Sequence, residues 1–268
     1  AERVLNGRPG VRRATIDKVN KAIADLGYIR DTAAANLARR RVYRLLFILP
    51  DAANEFVDAL ITQVSIQGAQ LSHQRTILGA RTVPPFDPQA IVAMLDQLSP
   101  DEIDGVAVFG PETPAVRDAV NRARARGIAV VSLVADLPSS ERDHFVGIDN
   151  YAAGRTAARL MGRFIDQSGP VLVITGSRLA RDHLERRAGF DAVMTTDFPT
   201  LDVLPSVEGR DDPALIQRLL PDILRTVPNL RGIYSSAAGN AGLLTCLERQ
   251  RRRDNLVVIA HELTPVSR

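Results

Sequence analysis

From Tyr43 to the end of the chain, short apolar segments alternate with stretches in which apolar residues recur at helical spacing. The apolar segments are of strand length and lie at 43–49, 75–80, 104–109, 128–134, 170–175, 201–206, 231–235 and 256–260. The helical patterns between them begin at Phe56 and Ala153 or cover 88–98, 114–126, 181–195, 214–225 and 238–250. Strands that alternate with helices predict parallel sheets with right-handed crossovers. Because the strands are apolar throughout, we expect helices on both faces of each sheet.

A further apolar segment at 145–148 follows a polar, proline-containing loop at 136–143 and divides this region in two. Four strand–helix units precede it and four follow it. The pattern therefore predicts an α/β fold with two lobes of parallel, doubly wound sheets, at 42–146 and 147–268. In such folds, ligands bind in the crevice at the carboxyl ends of the strands.

The N-terminal 41 residues differ from the rest in pattern and in charge. A helix is predicted over 14–27, where Gly27 supplies a stop and the apolar positions are Ile16, Val19, Ile23 and Leu26. The Ala-rich stretch 32–38 and three arginines follow it, and a segment that short needs a partner to form a stable helix. This part carries ten Lys and Arg against four acids, a net charge of +6, whereas the rest of the chain sums to −3. Charge alone leaves two interpretations open, a nucleic-acid-binding arm and a solvent-exposed basic helix.

Composition excludes several classes of protein. With 45% hydrophobic and 24% charged residues in 268, the chain is expected to fold into globular α/β units. No apolar run approaches the ~18 residues that span a bilayer. The N-terminus lacks the pattern of a secretory signal, so the default expectation is a cytoplasmic location. The one cysteine, Cys246, is expected to pack in a helix rather than to react.

The motifs of common enzyme classes are missing from the sequence. It contains no Gly-x-Gly-x-x-Gly after the first strand, no P-loop lysine motif, no Cys-x-x-Cys, no His-Glu-x-x-His and no Gly-x-Ser-x-Gly. The four histidines have no metal-ligand spacing, so no enzyme activity, no metal and no cofactor is predicted. The arrangement that would suit acid–base chemistry is a meeting of His183 and His261 near Glu262.

A series of motifs runs along the chain in a fixed order: Arg3-Val4-Leu5-Asn6-Gly7, Leu26-Gly27-Tyr28, then 31–38, 50–56, 146–150, 185–190 and 259–264. In the same order, these motifs resemble parts of the lactose/galactose repressor (LacI/GalR) family. Those parts are the end of the recognition helix and its connector, the hinge helix, the first cleft loop, the crossover between lobes and two further cleft motifs. The resemblance implies a homodimeric transcription regulator, most often a repressor, that binds a palindromic operator. Its two-lobed, periplasmic-binding-protein-like core would close on a small effector, a sugar or sugar derivative, and thereby change how the hinge helices are presented.

The resemblance places DNA contacts in the N-terminal 41 residues, as a partial all-α helix-turn-helix headpiece with a hinge helix. Asn6 and Thr15 stand where family members contact phosphates, and Arg3 could bond a guanine edge or a phosphate. Leu37, followed by Ala38, would insert between base steps in the minor groove. The alternative for Leu37 is packing on a lobe of the core.

The resemblance also implies contacts to the effector. Arg186 stands where the family places an arginine that reaches ligand hydroxyls or a carboxylate; the alternative is a surface salt bridge with a neighbouring glutamate. Glu262 would bridge two sugar hydroxyls, at a position where many members carry Asp. Asn54 would supply a hydrogen bond, and Phe56 would supply a ring face for stacking or belong to the core. Asp149 is either a ligand contact or a helix N-cap.

The chain also departs from the family pattern. It begins near the end of the recognition helix and stops before the elements that return to the first lobe, so we expect specific operator binding only with the missing helices restored. Ala237-Ala238 stand where many members have Asn-Asp, and Ala135 stands where an arginine is frequent, so two polar ligand contacts are missing or moved to Ser236 or Asn240. The second hypothesis is a solute-binding protein of a sugar transport system, which would need an export signal and have no use for the basic segment.

Overall fold

The computed structural model describes residues 2–5, 9–26, 41–52, 54–251, 256–265 and 267–268. Contacts within the chain divide it into two units, Ala1–Val42 and Tyr43–Arg268.

Two helices are described in the first unit, α1 (Glu2–Leu5) and α2 (Arg13–Asp25). The apolar positions predicted on α2 are half-buried at Ile16, Val19 and Ile23. No residue of α2 is fully buried. The predicted hinge stretch 32–38 lies outside the described residues.

The first lobe of the second unit is built on a five-stranded sheet with the order β2-β1-β3-β4-β5, in which all paired strands are parallel. Its strands are β1 (Tyr43–Pro50), β2 (Thr76–Val83), β3 (Gly105–Val108), β4 (Ala129–Leu133) and β5 (His144–Val146). Its helices are α3 (Glu55–Leu71), α4 (Pro88–Asp96) and α5 (Pro114–Ala125). Apolar side chains of α4 and α5 pack against one face of the sheet, where Ile48, Val108 and Val130 are fully buried.

The second lobe has a parallel sheet with the order β10-β9-β6-β7, and β8 pairs with the far end of β6. Its strands are β6 (Gly169–Thr175), β7 (Leu201–Val203), β8 (Val207–Glu208), β9 (Gly232–Ser235) and β10 (Val257–Ala260). Its helices are α6 (Asn150–Phe164), α7 (Arg181–Asp197), α8 (Pro213–Thr226) and α9 (Asn240–Arg249).

Alternate residues of β6 explain why this strand is apolar throughout. Leu172 and Ile174 pack into a core under α8 and α9, whereas Val171 and Val173 pack into a second core under α6 and α7. Successive side chains of a strand point to opposite faces of the sheet, so a sheet covered on both faces needs an uninterrupted apolar strand. The predicted α/β architecture of two lobes with parallel, doubly wound sheets is confirmed.

One predicted strand differs in its extent. The apolar segment 201–206 gives only the three-residue β7, and pairing resumes in β8 at Val207. Pro205 lies between the two short strands and has no N–H to donate to a ladder, which accounts for the interruption. Within the described part of the chain, no helix is both long and apolar enough to cross a membrane.

Candidate functional site

A cleft lies between the two lobes, at the carboxyl ends of the strands of both sheets. It holds about 720 Å³ of empty space, open solvent at its mouth included. The first lobe lines it at or just after the ends of β1 to β4, with residues that include Pro50, Val83, Phe109 and Val134. The second lobe lines it from the start of α7 and from the loops after β8, β9 and β10, with Ala180, Asp182, His183, Arg186, Asp211, Ala237, Ala238 and Glu262. Doubly wound lobes form a ligand crevice at this edge.

Arg186 projects from α7 into the cleft and is only 5% exposed. Its Nε donates to Oδ1 of Asn150 at 2.9 Å, and its Nη1 donates to the backbone oxygen of Ser236 at 2.9 Å. Nη1 also lies 3.8 Å from Oε1 of Glu262, so an ion pair with a glutamate exists, with the arginine buried and the glutamate half-buried. These contacts fix the guanidinium plane, and its remaining donors suit hydroxyls or a carboxylate of a ligand.

Glu262 follows β10 and holds its backbone in the left-handed region, with φ of 64°. Its carboxylate lines the cleft. Burial raises the pKa of Glu262, and the positive charge of Arg186 opposes that shift. A half-buried carboxylate that faces a cleft is suited to accept hydrogen bonds from ligand donors.

Asp182 and His183 stand side by side in the first turn of α7. His183 Nδ1 accepts the backbone N–H of Ser177 at 3.2 Å, which assigns the ring proton to Nε2. That Nε2 lies 3.5 Å from Oδ2 of Asp182. Asp182 is 3% exposed, and its Oδ1 is buried with no hydrogen-bond partner among the described residues. Asp182 is the acidic residue in the first turn of α7, a position where the helix dipole favours a negative side chain.

Asp211 approaches the same group from the loop after β8. Its Oδ1 accepts the backbone N–H of Ala238 at 3.1 Å and lies 4.0 Å from Nε2 of His183. Burial raises the pKa of Asp211, and the hydrogen bond from the Ala238 N–H opposes that shift. Gly176 makes this approach possible, because a Cβ there would overlap both His183 and Asp211. No group of His, Cys, Asp and Glu in the described residues has an arrangement that could hold a metal ion.

Asn54 and Phe56 line the cleft from the first lobe. Asn54 also caps α3, since its Oδ1 accepts the backbone N–H of Val57 at 3.0 Å. The Phe56 ring meets the Phe109 ring edge to face, with 6.4 Å between centroids and 86° between planes. Phe56 is half-buried, so its ring both packs on the lobe and borders the cleft.

Asp149 is not among the residues that line this cleft. It is the N-cap of α6, where its Oδ1 accepts the backbone N–H of Ala152 at 2.8 Å. This geometry matches the capping alternative, and the ligand role of Asp149 stays a prediction.

We expect Asp149→Ala to lower the free energy of unfolding by about 1 kcal/mol, the typical cost of a lost N-cap. Asp149→Asn keeps an oxygen acceptor and should cost a few tenths at most. Urea unfolding of the two variants measures both values. Equal stability of Asp149→Ala and the wild type would contradict the capping role.

The residues predicted to contact DNA are only partly described. Arg3 lies in α1 and Thr15 in α2, and both side chains are exposed. Asn6, Leu37 and Ala38 lie outside the described residues. Nothing in the described contacts tests the DNA role of any of the five.

Several residues that line the cleft are not predicted from the sequence. Asp182 and Asp211 were not singled out, and His183 was considered only as part of an acid–base pair. The aromatic rings of Phe86 and Phe109 also border the cleft. A usable signal was present, since Phe109 directly follows β3 and Asp211 follows β8 by a few residues, at the sheet edge where ligands bind.

His261 lies beside the cleft wall and faces Tyr234. Its Nε2 is 2.7 Å from the Tyr234 hydroxyl oxygen, and burial lowers the pKa of His261 to about 4. Burial also raises the pKa of Tyr234. Both side chains are therefore neutral near pH 7, and the tyrosine hydroxyl can donate to the unprotonated ring.

This lowered pKa predicts a pH-dependent stability. Between its ordinary pKa of 6.5 and about 4, His261 binds a proton in the unfolded chain but not in the folded one. The stability that neutral His261 contributes is thus fully present above pH 6.5 and is lost as the pH falls towards 4. We expect the melting temperature of the wild type to fall, relative to that of His261→Gln, across this window. His73→Gln removes an exposed histidine as the control, and parallel curves for the wild type and His261→Gln would contradict the prediction.

Comparison with known proteins shows the family to which the chain belongs. Residues 45–268 match the family model of the periplasmic binding protein domain, and the chain belongs to that family. Among curated proteins, the chain is 26% identical over 121 residues to catabolite control protein A of Staphylococcus xylosus. The matched segment covers 45% of this chain and 36% of that protein. The chain is also 27% identical over 177 residues to catabolite control protein A of Streptococcus mutans. That matched segment covers 63% of this chain and 50% of that protein. The matched segments thus span half or less of the length of these relatives.

Solved structures with the same fold include sugar-binding proteins. A solute-binding protein of an ABC transporter from Burkholderia graminis, in complex with D-arabinose, superposes with a TM-score of 0.75 at 25% identity and covers 84% of this chain and 78% of that one. A periplasmic solute-binding protein from Actinobacillus succinogenes with bound D-allose gives a TM-score of 0.74 at 17% identity, over 84% and 80% of the two chains. The second likeness concerns the fold alone.

Proposed function

We propose that this chain belongs to a transcription regulator whose affinity for a palindromic operator is set by a small carbohydrate effector bound in the cleft between the lobes. The observation that carries the proposal is the separate basic unit before the cleft domain. Four basic side chains of this unit, Arg12, Arg13, Lys18 and Lys21, are exposed along or next to α2. A cluster of positive side chains on one helical unit is suited to contact phosphates.

The relatives support the regulatory part of the proposal. Two proteins named for control of catabolism match the chain at 26% and 27% identity. In the proposed protein, residues 1–41 form part of the headpiece and the hinge, with Arg3, Asn6, Thr15, Leu37 and Ala38 at the DNA. The lobes at 42–146 and 147–268 bind the effector. The regulator acts as a cytoplasmic homodimer and as a repressor.

The cleft supports a carbohydrate effector. Arg186 presents fixed donors, Asp182 is a buried acid, Glu262 is a half-buried one, and the Phe56 ring borders the same space. Sugar rings need hydrogen-bonding partners for their hydroxyls and apolar surface for their faces. The relative with bound D-arabinose binds a ligand of this class in the same fold.

Fluorescence anisotropy with the protein that carries the complete headpiece, and with fragments of its own promoter, tests the proposal across a salt series. We expect tight binding to one palindromic fragment, much weaker binding to random DNA, and an affinity for the operator that falls steeply with salt. A sugar panel should then change the stability of the complex. Equal, weak binding to every fragment would overturn the proposal that the protein is a transcription regulator.

The second candidate is a solute-binding protein of a sugar transport system, which the structural likeness to ABC-transporter proteins favours. It predicts sugar binding without any operator. The anisotropy experiment and the sugar panel therefore separate the two candidates, since only the regulator gives both results.

A further inference from the structure

The two walls of the cleft differ in chemistry. Of the described residues that line it, Asn54 is the one polar side chain from the first lobe. Its Oδ1 already accepts the Val57 N–H, so its two amide N–H donors are the groups most available to a ligand. The rest of the first-lobe wall is apolar and includes Phe56, Phe86, Phe109 and Ile91.

The second-lobe wall is strongly polar. Every ionisable side chain that lines this cavity of about 720 Å³ within the described part of the chain comes from this lobe, namely Asp182, His183, Arg186, Asp211 and Glu262. Glu55 and Asp58 of the first lobe border the adjoining cavity. Three of the five are carboxylates. One ligand must therefore meet an apolar wall on one side and a charged wall on the other.

Asp182 places a buried carboxyl group on the second-lobe wall. Its Oδ1 is buried and has no hydrogen-bond partner among the described residues. A buried acceptor without a partner is costly, and a ligand that donates a hydrogen bond to it removes that cost. The carboxylates of Asp211 and Glu262 border the same space, so the end of the ligand that faces this wall should be rich in donors and free of negative charge.

The aromatic rings give the apolar wall its preference. Phe56 and Phe109 meet edge to face with centroids 6.4 Å apart. The centroid of Phe86 lies 6.4 Å from that of His183, at the border of the two walls. All three phenylalanines are half-buried. Ring faces and edges of this kind pack well against another ring or an alkyl group.

We infer that the effector is amphipathic: a neutral sugar that carries an aryl or similar apolar substituent, with its hydroxyls on the second-lobe wall and its substituent on the first-lobe wall. The inference rests on the proposed carbohydrate effector and narrows it. A sugar without a substituent offers this wall only the apolar face of one ring. A sugar phosphate would bring negative charge towards three carboxylates.

Isothermal titration calorimetry of the 268-residue chain with matched pairs of glycosides tests this inference. The probes are the methyl and phenyl glycosides of D-glucose, D-galactose and D-arabinose. For at least one sugar, we expect the phenyl glycoside to bind ten times more tightly than the methyl glycoside or better, since a ring that leaves water for apolar surface gains at least that factor. Equal affinity within every pair that binds would overturn the amphipathic effector and leave the carbohydrate effector in place. Absence of binding by all six glycosides would overturn both the amphipathic effector and the carbohydrate effector. The operator measurement would still test whether the protein is a transcription regulator.

A variant locates the aryl site. Phe109→Ser replaces a ring of the first-lobe wall, and we expect the ratio of phenyl to methyl affinity to fall towards one. Phe164→Ser removes a phenylalanine that is 61% exposed and does not line the cleft, so it should keep the wild-type ratio. Phe86→Ser serves as a second variant if Phe109→Ser does not fold. A wild-type ratio in a folded Phe109→Ser or Phe86→Ser would overturn the placement of the substituent on this wall.

Discussion

Arg186→Ala is expected to lower the free energy of unfolding by about 2–4 kcal/mol, because the substitution leaves two buried acceptors and a half-buried carboxylate without their cation. The acceptors are Oδ1 of Asn150 and the backbone oxygen of Ser236, each 2.9 Å from the guanidinium. The carboxylate is that of Glu262, 3.8 Å away. Urea unfolding measures the loss. Arg225→Ala removes an arginine whose side chain is 74% exposed and paired with Asp222, and it should cost less than about 1 kcal/mol.

The pH dependence of this loss identifies its electrostatic part. Arg186 lowers the pKa values of Glu262 and Asp211, which burial raises. Without the arginine, both folded pKa values rise further, and a carboxyl with a raised pKa loses stability as the pH rises through that value. The destabilisation by Arg186→Ala should therefore be greater at about pH 8 than at about pH 4.5. Arg186→Lys keeps the charge but not the fork of donors, so it should lose most of the pH dependence and retain part of the destabilisation. A loss that is equal at both pH values would contradict the coupling to these carboxyls.

The sequence predicted the fold well because the fold depends on patterns that are local. Residues 171–174 of β6 form an uninterrupted apolar run because both faces of the strand are buried, and this run is visible in the sequence without any knowledge of the neighbouring strands. Strand order is different, since it depends on which strands pair. The order β10-β9-β6-β7 and the short pairing of β8 could not be derived from apolar segments alone.

The site was only partly predictable, for a related reason. Arg186 and Glu262 were proposed from a resemblance, and the structure brings them to the same cleft. Asp182 and Asp211 needed three-dimensional information, because the carboxylate of Asp211 reaches His183 only through a backbone in the left-handed region, with φ of 57°. Asp149 illustrates the opposite case. An acid directly before a helix fits both a cap and a ligand contact, and the structure shows the cap, through its bond to the Ala152 N–H.

Gly154→Ala should destabilise the protein by about 1–3 kcal/mol or more, because it places a methyl group between two helices that touch through their backbones. Gly154 lies on α6, and a Cβ there would come within 2.7 Å of the carbonyl carbon of Arg186 and closer still to its oxygen. The contact is reciprocal, since a Cβ at Gly189 of α7 would come within 2.9 Å of the carbonyl carbon of Tyr151. Backbone atoms cannot rotate away as a side chain can, so the helices must separate.

Gly68→Ala is the matched control for this prediction, because it makes the same change inside α3 without a clash. Its Cβ would lie 3.5 Å from Cβ of Leu78, an ordinary contact. Alanine is favoured over glycine in a helix by about 1 kcal/mol, so Gly68→Ala should be neutral or stabilising, and the difference between the two variants isolates the cost of the clash at Gly154. Equal stabilities in urea would contradict the close packing of α6 on α7. The same packing holds Asn150, at the start of α6, against Arg186, so separation of the two helices would also lengthen the bond that orients the guanidinium in the cleft.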